Sequence, residues 1–214
     1  IPRKNIKAFC GKPLIQWSIA AALDASCFNR IIVSTDDVEI ADIAIEAGAC
    51  VPSLRPKYLS DDYTGTKDVI SYCISTYLDK KEQENLVCCL YPTAPFVTAE
   101  LIQKSKDLLL SHPLASMSFI AAQYSSPIQR AFSIDLDGFT SMLNPKMLNV
   151  RTQDLPKSYY DAGQLYWATV SNWSNSSNLL QQAIALVQPP WLVQDIDTCE
   201  DWKNAEYLFN QISN

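Results

Sequence analysis

Histidine is almost absent from this sequence of 214 residues, in which His112 is the only one. A single histidine excludes metal sites built from several imidazoles, and it allows a Ser-His-Asp triad only if His112 itself serves. Because His112 precedes Pro113 at a predicted helix end, we expect it to be a C-terminal helix residue that the helix dipole favours. The seven cysteines are scattered and form no Cys-X-X-Cys pair. They are typical of small core residues in a reducing cytoplasm.

Long apolar runs and clusters of basic residues are also absent. No stretch is apolar enough to cross a bilayer, and no basic segment leads into the apolar core of a signal peptide. The formal net charge is −6, and no group of Lys and Arg with interleaved aromatics offsets it, so neither nucleic acid nor a membrane is expected as a partner. The sequence therefore predicts a soluble, cytoplasmic protein that forms a single domain over 1–214.

Apolar, β-branched runs alternate with amphipathic helices along the chain. Strands are predicted at residues 31–35, 86–91, 116–122, 164–170 and 183–188. Apolar residues at helical spacing follow each of the first two strands and predict two helices. Thr98 marks the start of the second of these helices. This alternation is typical of the α/β class, with a mainly parallel sheet and helices on both faces.

The stretch 125–160 interrupts the alternation, because it is rich in Pro, Asn, Ser and Asp. It contains short strand candidates at 131–135 and 146–150. We expect it to be an insertion, a pair of hairpins used for dimer contacts.

Two acidic residues precede the predicted last helix, whose start is marked by Thr198 and Asp201 as a capping pair. In an extended segment Asp195 and Asp197 share one face, while Ile196 between them points into the core. Two carboxylates on one side suit a hard cation such as Mg²⁺, which takes its other ligands from water and phosphate. The alternative is a turn with one additional acid near the helix cap.

Basic residues are concentrated at the start of the sequence, in IPRKNIK. Arg3, Lys4 and Lys7 could hold a triphosphate there, arginine as a bidentate fork and lysine as a point charge. A frayed basic terminus is the alternative.

Polar loops follow the first two predicted strands, at STDD and YPTAPF. Open α/β sheets bind ligands outside the carboxyl ends of their strands, and Pro92 and Pro95 stiffen the second loop and so fix Tyr91 and Thr93. The segment 54–68 adds one arginine and several hydroxyls before a helix N-terminus, which is a potential anion or nucleotide site. Ordinary turns and helix caps are the alternative for each of these loops.

The segment SYYDAGQLYWATV places Asp161 and Gln164 on either side of Gly163, just before an aromatic strand. One acid and one amide among aromatics fit the recognition of a polar, hydroxylated ligand. The alternative is a tight turn that leads into a core strand.

The order of these motifs along the chain resembles that of the cytidylyltransferases that make CMP-sialic acids. The motifs are IPRKNIK…GKPLI, IIVSTDD, LRP…LSDD, YPTAPF, YYDAGQLYW and DIDTCEDW, and YYDAGQLYW is most similar to the pseudaminic acid branch. The resemblance covers nearly the whole chain and implies a Rossmann-like, three-layer α/β nucleotidyltransferase that is a homodimer. The implied reaction transfers CMP from CTP to the anomeric hydroxyl of a nine-carbon keto-sugar acid and releases pyrophosphate.

The resemblance also assigns residues. It implies that Lys4 and Asn5 contact the nucleotide, that Arg55 and Thr66 help to hold CTP, and that Asp195 and Asp197 bind Mg²⁺. The full set of candidates is Lys4, Asp195 and Asp197 for catalysis, Arg3, Lys4, Asn5, Arg55, Thr66, Tyr91 and Thr93 for the nucleotide, and Tyr160, Asp161 and Gln164 for the sugar. Such a reaction needs positioning and charge neutralisation rather than a nucleophilic triad, which agrees with the scarcity of histidine.

Three departures from the family pattern shape these expectations. Tyr91 lies where sialate relatives commonly carry Gln, and the residues before Gly163 replace the Arg and Asn-Gly of sialate synthetases, which favours pseudaminic over N-acetylneuraminic acid. The family has a first strand and a phosphate loop directly before the position of Ile1, so we expect that an N-terminal segment is missing from this sequence. The alternatives are a CMP-N-acetylneuraminic or CMP-legionaminic acid synthetase, and a non-catalytic protein that binds nucleotide sugars.

Overall fold

A four-stranded sheet lies at the centre of the computed structural model, which describes residues 1–78, 85–175 and 178–212. The strands of these residues are β1 (Ala8–Phe9), β2 (Lys12–Pro13), β3 (Leu86–Leu90), β4 (Ser118–Gln123), β5 (Phe132–Ile134), β6 (Thr140–Met142), β7 (Tyr159–Thr169) and β8 (Ile184–Gln188). The helices are α1 (Leu14–Asp24), α2 (Val38–Glu46), α3 (Thr66–Tyr77), α4 (Ala99–Leu110), α5 (Val170–Asn175) and α6 (Cys199–Ile212). No helix in the described ranges is both long and apolar enough to cross a membrane.

The central sheet is mixed. Its strand order is β3-β7-β4-β8, in which β7 runs antiparallel to both of its neighbours and β4 runs parallel to β8. The α/β class is confirmed, but the sheet is not mainly parallel, because the long strand β7 enters between β3 and β4 in the opposite direction. The predicted strand at 31–35 forms only an isolated parallel bridge from Ile32 to Cys50, and both this segment and β3 line a large cavity.

Helices cover both faces of the sheet, which gives the predicted three layers. On one face α1 and α4 pack around Trp167, whose ring stacks on Phe28 at 5.1 Å and whose Nε1 donates to the Ile102 carbonyl at 3.1 Å. On the other face α3 and α5 contribute Ile74 and Trp173 to a second core. Burial of these apolar surfaces is the main force that holds the helices to the sheet.

Helix ends follow the local sequence closely. The Thr98 hydroxyl accepts the Leu101 N–H at 3.2 Å at the start of α4, as predicted. Near the other end of α4, the His112 ring lies 2.9 Å from the Leu108 carbonyl, which confirms its assignment to the helix C-terminus. The predicted capping pair also forms, since Asp201 Oδ2 accepts the Thr198 N–H at 2.7 Å.

The stretch 125–160 contains one hairpin, formed by β5 and β6. The strand predicted at 131–135 is confirmed, whereas the one predicted at 146–150 is wrong. Pro145 begins a 3-10 helix that extends to Met147, so the start of the predicted strand is helical. The partner of β5 is the nearer β6, because a tight turn at Gly138 reverses the chain directly after β5.

Candidate active site

The acidic pair before α6 has the alternation that the sequence predicts. Asp195 and Asp197 are exposed, while Ile196 between them is completely buried. The segment belongs to no strand. The Lys4 ammonium donates to the Ile196 carbonyl at 2.7 Å and contacts Asp197 Oδ1 at 2.9 Å. The basic start of the chain and the acidic pair therefore meet in one place.

An apolar cluster holds these two segments together. Ile196 packs with Phe9 and Leu14 from the start of the chain, with Phe96 after β3, and with Trp202 in α6. The rings of Phe9 and Trp202 meet edge to face at 5.5 Å. Because both segments are anchored in the same buried cluster, Lys4 and Asp197 are held close without depending on their own exposed ion pair.

A cavity of about 1250 Å³ opens between α1, α3, β3 and the segment 31–36. Four of the predicted nucleotide-binding residues line it, namely Asn5, Arg55, Thr66 and Tyr91. These residues come from four separate parts of the chain, so the cavity is the place where the fold brings them together. Its size exceeds that of an ordinary small-ligand pocket.

Arg55 lines the cavity and lies between α2 and α3 in the chain. Its backbone N–H donates to the Thr35 carbonyl at 2.7 Å, and its guanidinium lies near Ser60 Oγ at 3.2 Å and Asp36 Oδ1 at 3.5 Å. Because the contact with Asp36 is long, donors of the guanidinium remain for an anionic ligand.

Arg3 has a different environment from the other candidates. Its guanidinium contacts Asp37 at 2.9 Å and Glu39 at 2.6 Å, at the start of α2. Its hydrogen bond to Asp37 lowers the pKa of that carboxyl. The two acids already neutralise Arg3, so a triphosphate would have to compete with them.

Tyr91 connects the cavity to the sugar-binding candidates. Its hydroxyl lies 2.7 Å from Thr66 Oγ1, and its ring lies 5.8 Å from that of Tyr166. Burial raises the pKa of Tyr91, and the nearby charges of Asp161 and Asp195 raise it further. The Tyr91 hydroxyl therefore remains protonated and neutral. Thr93, two residues on, is half-buried in the turn and is not among the described residues that line the cavity.

The three sugar-binding candidates all lie in strand β7, but they have different environments. The exposed Asp161 accepts hydrogen bonds from the Tyr166 hydroxyl at 2.9 and 3.0 Å. Gln164 is buried, and its amide nitrogen and oxygen both lack a hydrogen-bond partner among the described residues. Tyr160 points to the opposite face of the strand from its neighbour Asp161 and packs against Tyr124 at 4.9 Å. Its ring is thus part of the core packing rather than of the face that carries Asp161.

The acidic pair offers ligands of the kind that Mg²⁺ prefers. Within the described ranges no group of three or more His, Cys, Asp or Glu side chains could hold a metal. Asp195 and Asp197 offer only carboxylate oxygens, and Mg²⁺ prefers such ligands together with water and substrate phosphate. The residues present therefore fit an ion that a nucleotide would help to hold.

Sequence reasoning missed Tyr166 and Ser18. The Ser18 hydroxyl in α1 donates to the Tyr91 carbonyl at 2.9 Å and so fixes the loop after β3. Ser18 lies among the apolar residues of α1, so no polar motif in the sequence indicated its role. Tyr166 lies two residues after Gln164, and this period of two could have indicated that they share a face.

Comparisons with known proteins identify the family of this chain. A family model described as Cytidylyltransferase matches residues 1–169. The pseudaminic acid cytidylyltransferase of Campylobacter jejuni subsp. jejuni serotype O:2 is 36% identical over 210 residues, which cover 98% of this chain and 90% of that protein. The CMP-N,N'-diacetyllegionaminic acid synthase of Legionella pneumophila subsp. pneumophila is 30% identical over 220 residues, which cover 97% and 90%.

The fold is also found in a solved structure of a CMP:2-keto-3-deoxy-manno-octonic acid synthetase complexed with CTP. The TM-score is 0.69 at 14% sequence identity, and the match covers 99% of this chain and 93% of that one. This likeness confirms the predicted nucleotidyltransferase fold. Together with the family match and the similarity to the Campylobacter protein, it shows that this chain belongs to the cytidylyltransferase family.

Proposed function

We propose that this protein transfers CMP from CTP to the anomeric hydroxyl of pseudaminic acid and releases pyrophosphate. The observation that carries the proposal is the contact between Lys4 and Asp197 at 2.9 Å. It joins a cation that can neutralise phosphate to a carboxylate that can hold a metal, beside the cavity that Asn5 and Arg55 line. Similarity to the Campylobacter protein supports the choice of sugar.

In the proposed reaction the anomeric oxygen of the sugar attacks the α-phosphorus of CTP. A bond forms between that oxygen and the α-phosphorus, and the bond from the α-phosphorus to the oxygen that bridges to the β-phosphorus breaks. Pyrophosphate leaves with the bonding electrons, and the hydroxyl proton is released to solvent. The chain needs to align the two substrates and offset the charge of the phosphates, which requires no protein nucleophile.

The residues divide these tasks between them. Arg55 and Asn5, which line the cavity, would bind the nucleotide, and Lys4 would neutralise charge next to the acidic pair. Asp195 and Asp197 would hold Mg²⁺, which when bound supplies Lewis-acid stabilisation of the phosphate oxygens. Asp161 accepts hydrogen bonds and repels a carboxylate, so the sugar would present hydroxyl or acylamino groups to it rather than its own acid group.

The test is an assay of pyrophosphate release. The full chain is incubated with CTP, Mg²⁺ and one of three sugar acids, namely pseudaminic, N-acetylneuraminic or legionaminic acid. We expect the fastest release with pseudaminic acid. Faster release with another acid would reassign the substrate, whereas calorimetric binding of CTP without release from any of the three would favour a non-catalytic nucleotide-sugar-binding protein.

Gln164 gives a prediction that separates binding from stability. Replacing it by methionine removes a buried amide without a partner, so we expect the free energy of unfolding to rise by about 1 kcal/mol. The same change should weaken binding of the sugar acid, because the amide is kept at a cost to the fold. Chemical denaturation and calorimetry measure the two effects. Gln123→Met in β4 is the matched control, and a loss of stability specific to Gln164→Met would contradict the prediction.

We also propose that the protein is a homodimer that associates through the stretch 125–160. Large apolar side chains of this stretch are exposed, namely Ile128, Phe132, Ile134, Leu136, Phe139, Leu143 and Leu148. An exposed apolar surface of this extent is typical of a protein contact. The two most exposed of these side chains, Leu136 at 107% and Phe139 at 73%, are the ones to change.

The double change Leu136→Glu and Phe139→Glu is expected to convert a dimer into a monomer in analytical ultracentrifugation. Tyr63→Glu is the control, because Tyr63 is 96% exposed but lies outside this stretch. A variant that keeps the mass of the unmodified protein would contradict the proposed interface.

A cytoplasmic location is proposed as well, since all seven cysteines are free thiols, as expected in a reducing compartment.

A further inference from the structure

A bulge in β7 brings together two side chains that a regular strand would keep apart. Residues five positions apart in a strand lie on opposite faces. The paired residues Phe119 and Ala121 are two positions apart in β4. Their partners in β7, Tyr166 and Asp161, are five positions apart. The three additional residues of β7 form the bulge, in which Gly163 has a left-handed φ of +63°. As a result, the Tyr166 hydroxyl reaches both oxygens of the Asp161 carboxylate.

The contacts across the bulge hold the Asp161 carboxylate in one orientation. Besides the Tyr166 hydroxyl, the Gly163 N–H donates to Asp161 Oδ1 at 3.0 Å. The Tyr166 ring is itself fixed, because it packs against the core between α3 and the sheet and lies beside Tyr91. Burial raises the pKa of Tyr166, so its hydroxyl stays protonated and remains a donor to Asp161.

The Asp161 carboxylate has acceptor capacity left after these contacts. A carboxylate offers about four lone-pair sites, and Asp161 is exposed and contacts Tyr166, whose ring lies beside that of Tyr91. A ligand there would be bound through its neutral donors, since a second carboxylate would be repelled.

We propose that Tyr166 is a positioning residue for the sugar acid. Through the bulge it orients the Asp161 carboxylate to accept a hydrogen bond from a hydroxyl or acylamino N–H of the sugar, at the end away from the sugar's own carboxylate. This inference rests on the proposed function, because it takes the sugar acid to be the second substrate. It adds a residue that determines how the sugar is oriented and a reason for the bulge.

The experiment compares Tyr166→Phe, Asp161→Asn and the double variant in the pyrophosphate assay, with pseudaminic acid as the varied substrate. Tyr166→Phe keeps the buried ring and removes only the hydroxyl. We expect its KM for the sugar acid to rise about 10-fold, with kcat and the Kd for CTP within about twofold of the unmodified protein. In the double variant we expect no further rise over Asp161→Asn alone, because Tyr166 acts through Asp161.

Tyr159→Phe in the same strand is the control and should leave the KM unchanged. An unchanged KM in Tyr166→Phe, or a rise in the double variant equal to the product of the two single effects, would overturn this inference alone. A fall in CTP affinity with the rise in KM would also overturn it, because it would indicate a general structural role. No release by the unmodified protein with any of the three sugar acids would overturn the proposed function, and this inference with it.

Discussion

Asp197→Asn is expected to lower turnover by at least about 100-fold. The change removes a negative charge from the pair that would hold Mg²⁺, and it does so at an exposed position next to the buried Ile196. The fold should therefore be retained, with a thermal midpoint close to that of the unmodified protein. Raising the Mg²⁺ concentration should restore part of the lost activity, because a weakened site fills at higher metal concentration. The measurement is kcat for pyrophosphate release as a function of Mg²⁺.

Glu200→Gln is the matched control for this prediction. Glu200 is an exposed acid in the first turn of α6, three residues after Asp197, so its removal changes the net charge equally. It should leave turnover nearly unchanged. Normal Mg²⁺-dependent activity in Asp197→Asn would show instead that the acidic pair is only part of a turn near the helix cap.

Lys4→Met is expected to have two effects of opposite sign. It should lower kcat/KM for CTP by about 100-fold or more, because the ammonium that neutralises the phosphates is lost. It should also raise the affinity of the nucleotide-free protein for Mn²⁺, used as a probe for Mg²⁺, by about 3- to 10-fold. The reason is that Lys4 contacts Asp197 Oδ1 and so competes with a metal for the same carboxylate.

Lys12→Met is the control, because it removes an equal charge from the same part of the chain, where Lys12 packs over the Trp17 ring at 3.8 Å. Calorimetry with Mn²⁺ and steady-state kinetics with CTP measure the two effects. Weaker binding of Mn²⁺ by the Lys4 variant, or the same change in both variants, would contradict the competition for Asp197.

Features that depend on a few neighbouring residues could be predicted from the sequence. Thr98 and Thr198 accept backbone N–H groups at the helix starts where they were expected. The alternation of Asp195, Ile196 and Asp197 required only an extended backbone and one apolar side chain between two acids. Strand β3 was predicted from a short apolar run. In each case the structure follows from the chemistry of adjacent residues.

The bulge in β7 shows where this reasoning stops. Gly163 was expected just before a strand at 164–170, whereas β7 begins at Tyr159 and contains it. A glycine inside a strand is often the signal of a bulge. Its presence could have warned that residues on either side would not keep the alternation of a regular strand. The number of additional residues depends on the register with β4, however, and register is set by a partner strand distant in sequence. Only the structure could show that Asp161 and Tyr166 are in contact.

The sequence by itself determined the class of fold, the helix ends, the exposed acidic pair and, through the order of its motifs, the family. The tertiary structure alone decided that β7 runs between β3 and β4, that Arg3 is paired with two acids, and that Lys4 meets Asp197 across 193 positions of the chain. The physical reason is the range of the forces involved. Backbone geometry and capping act between near neighbours, whereas these contacts depend on which apolar surfaces are buried together, as in the cluster around Ile196.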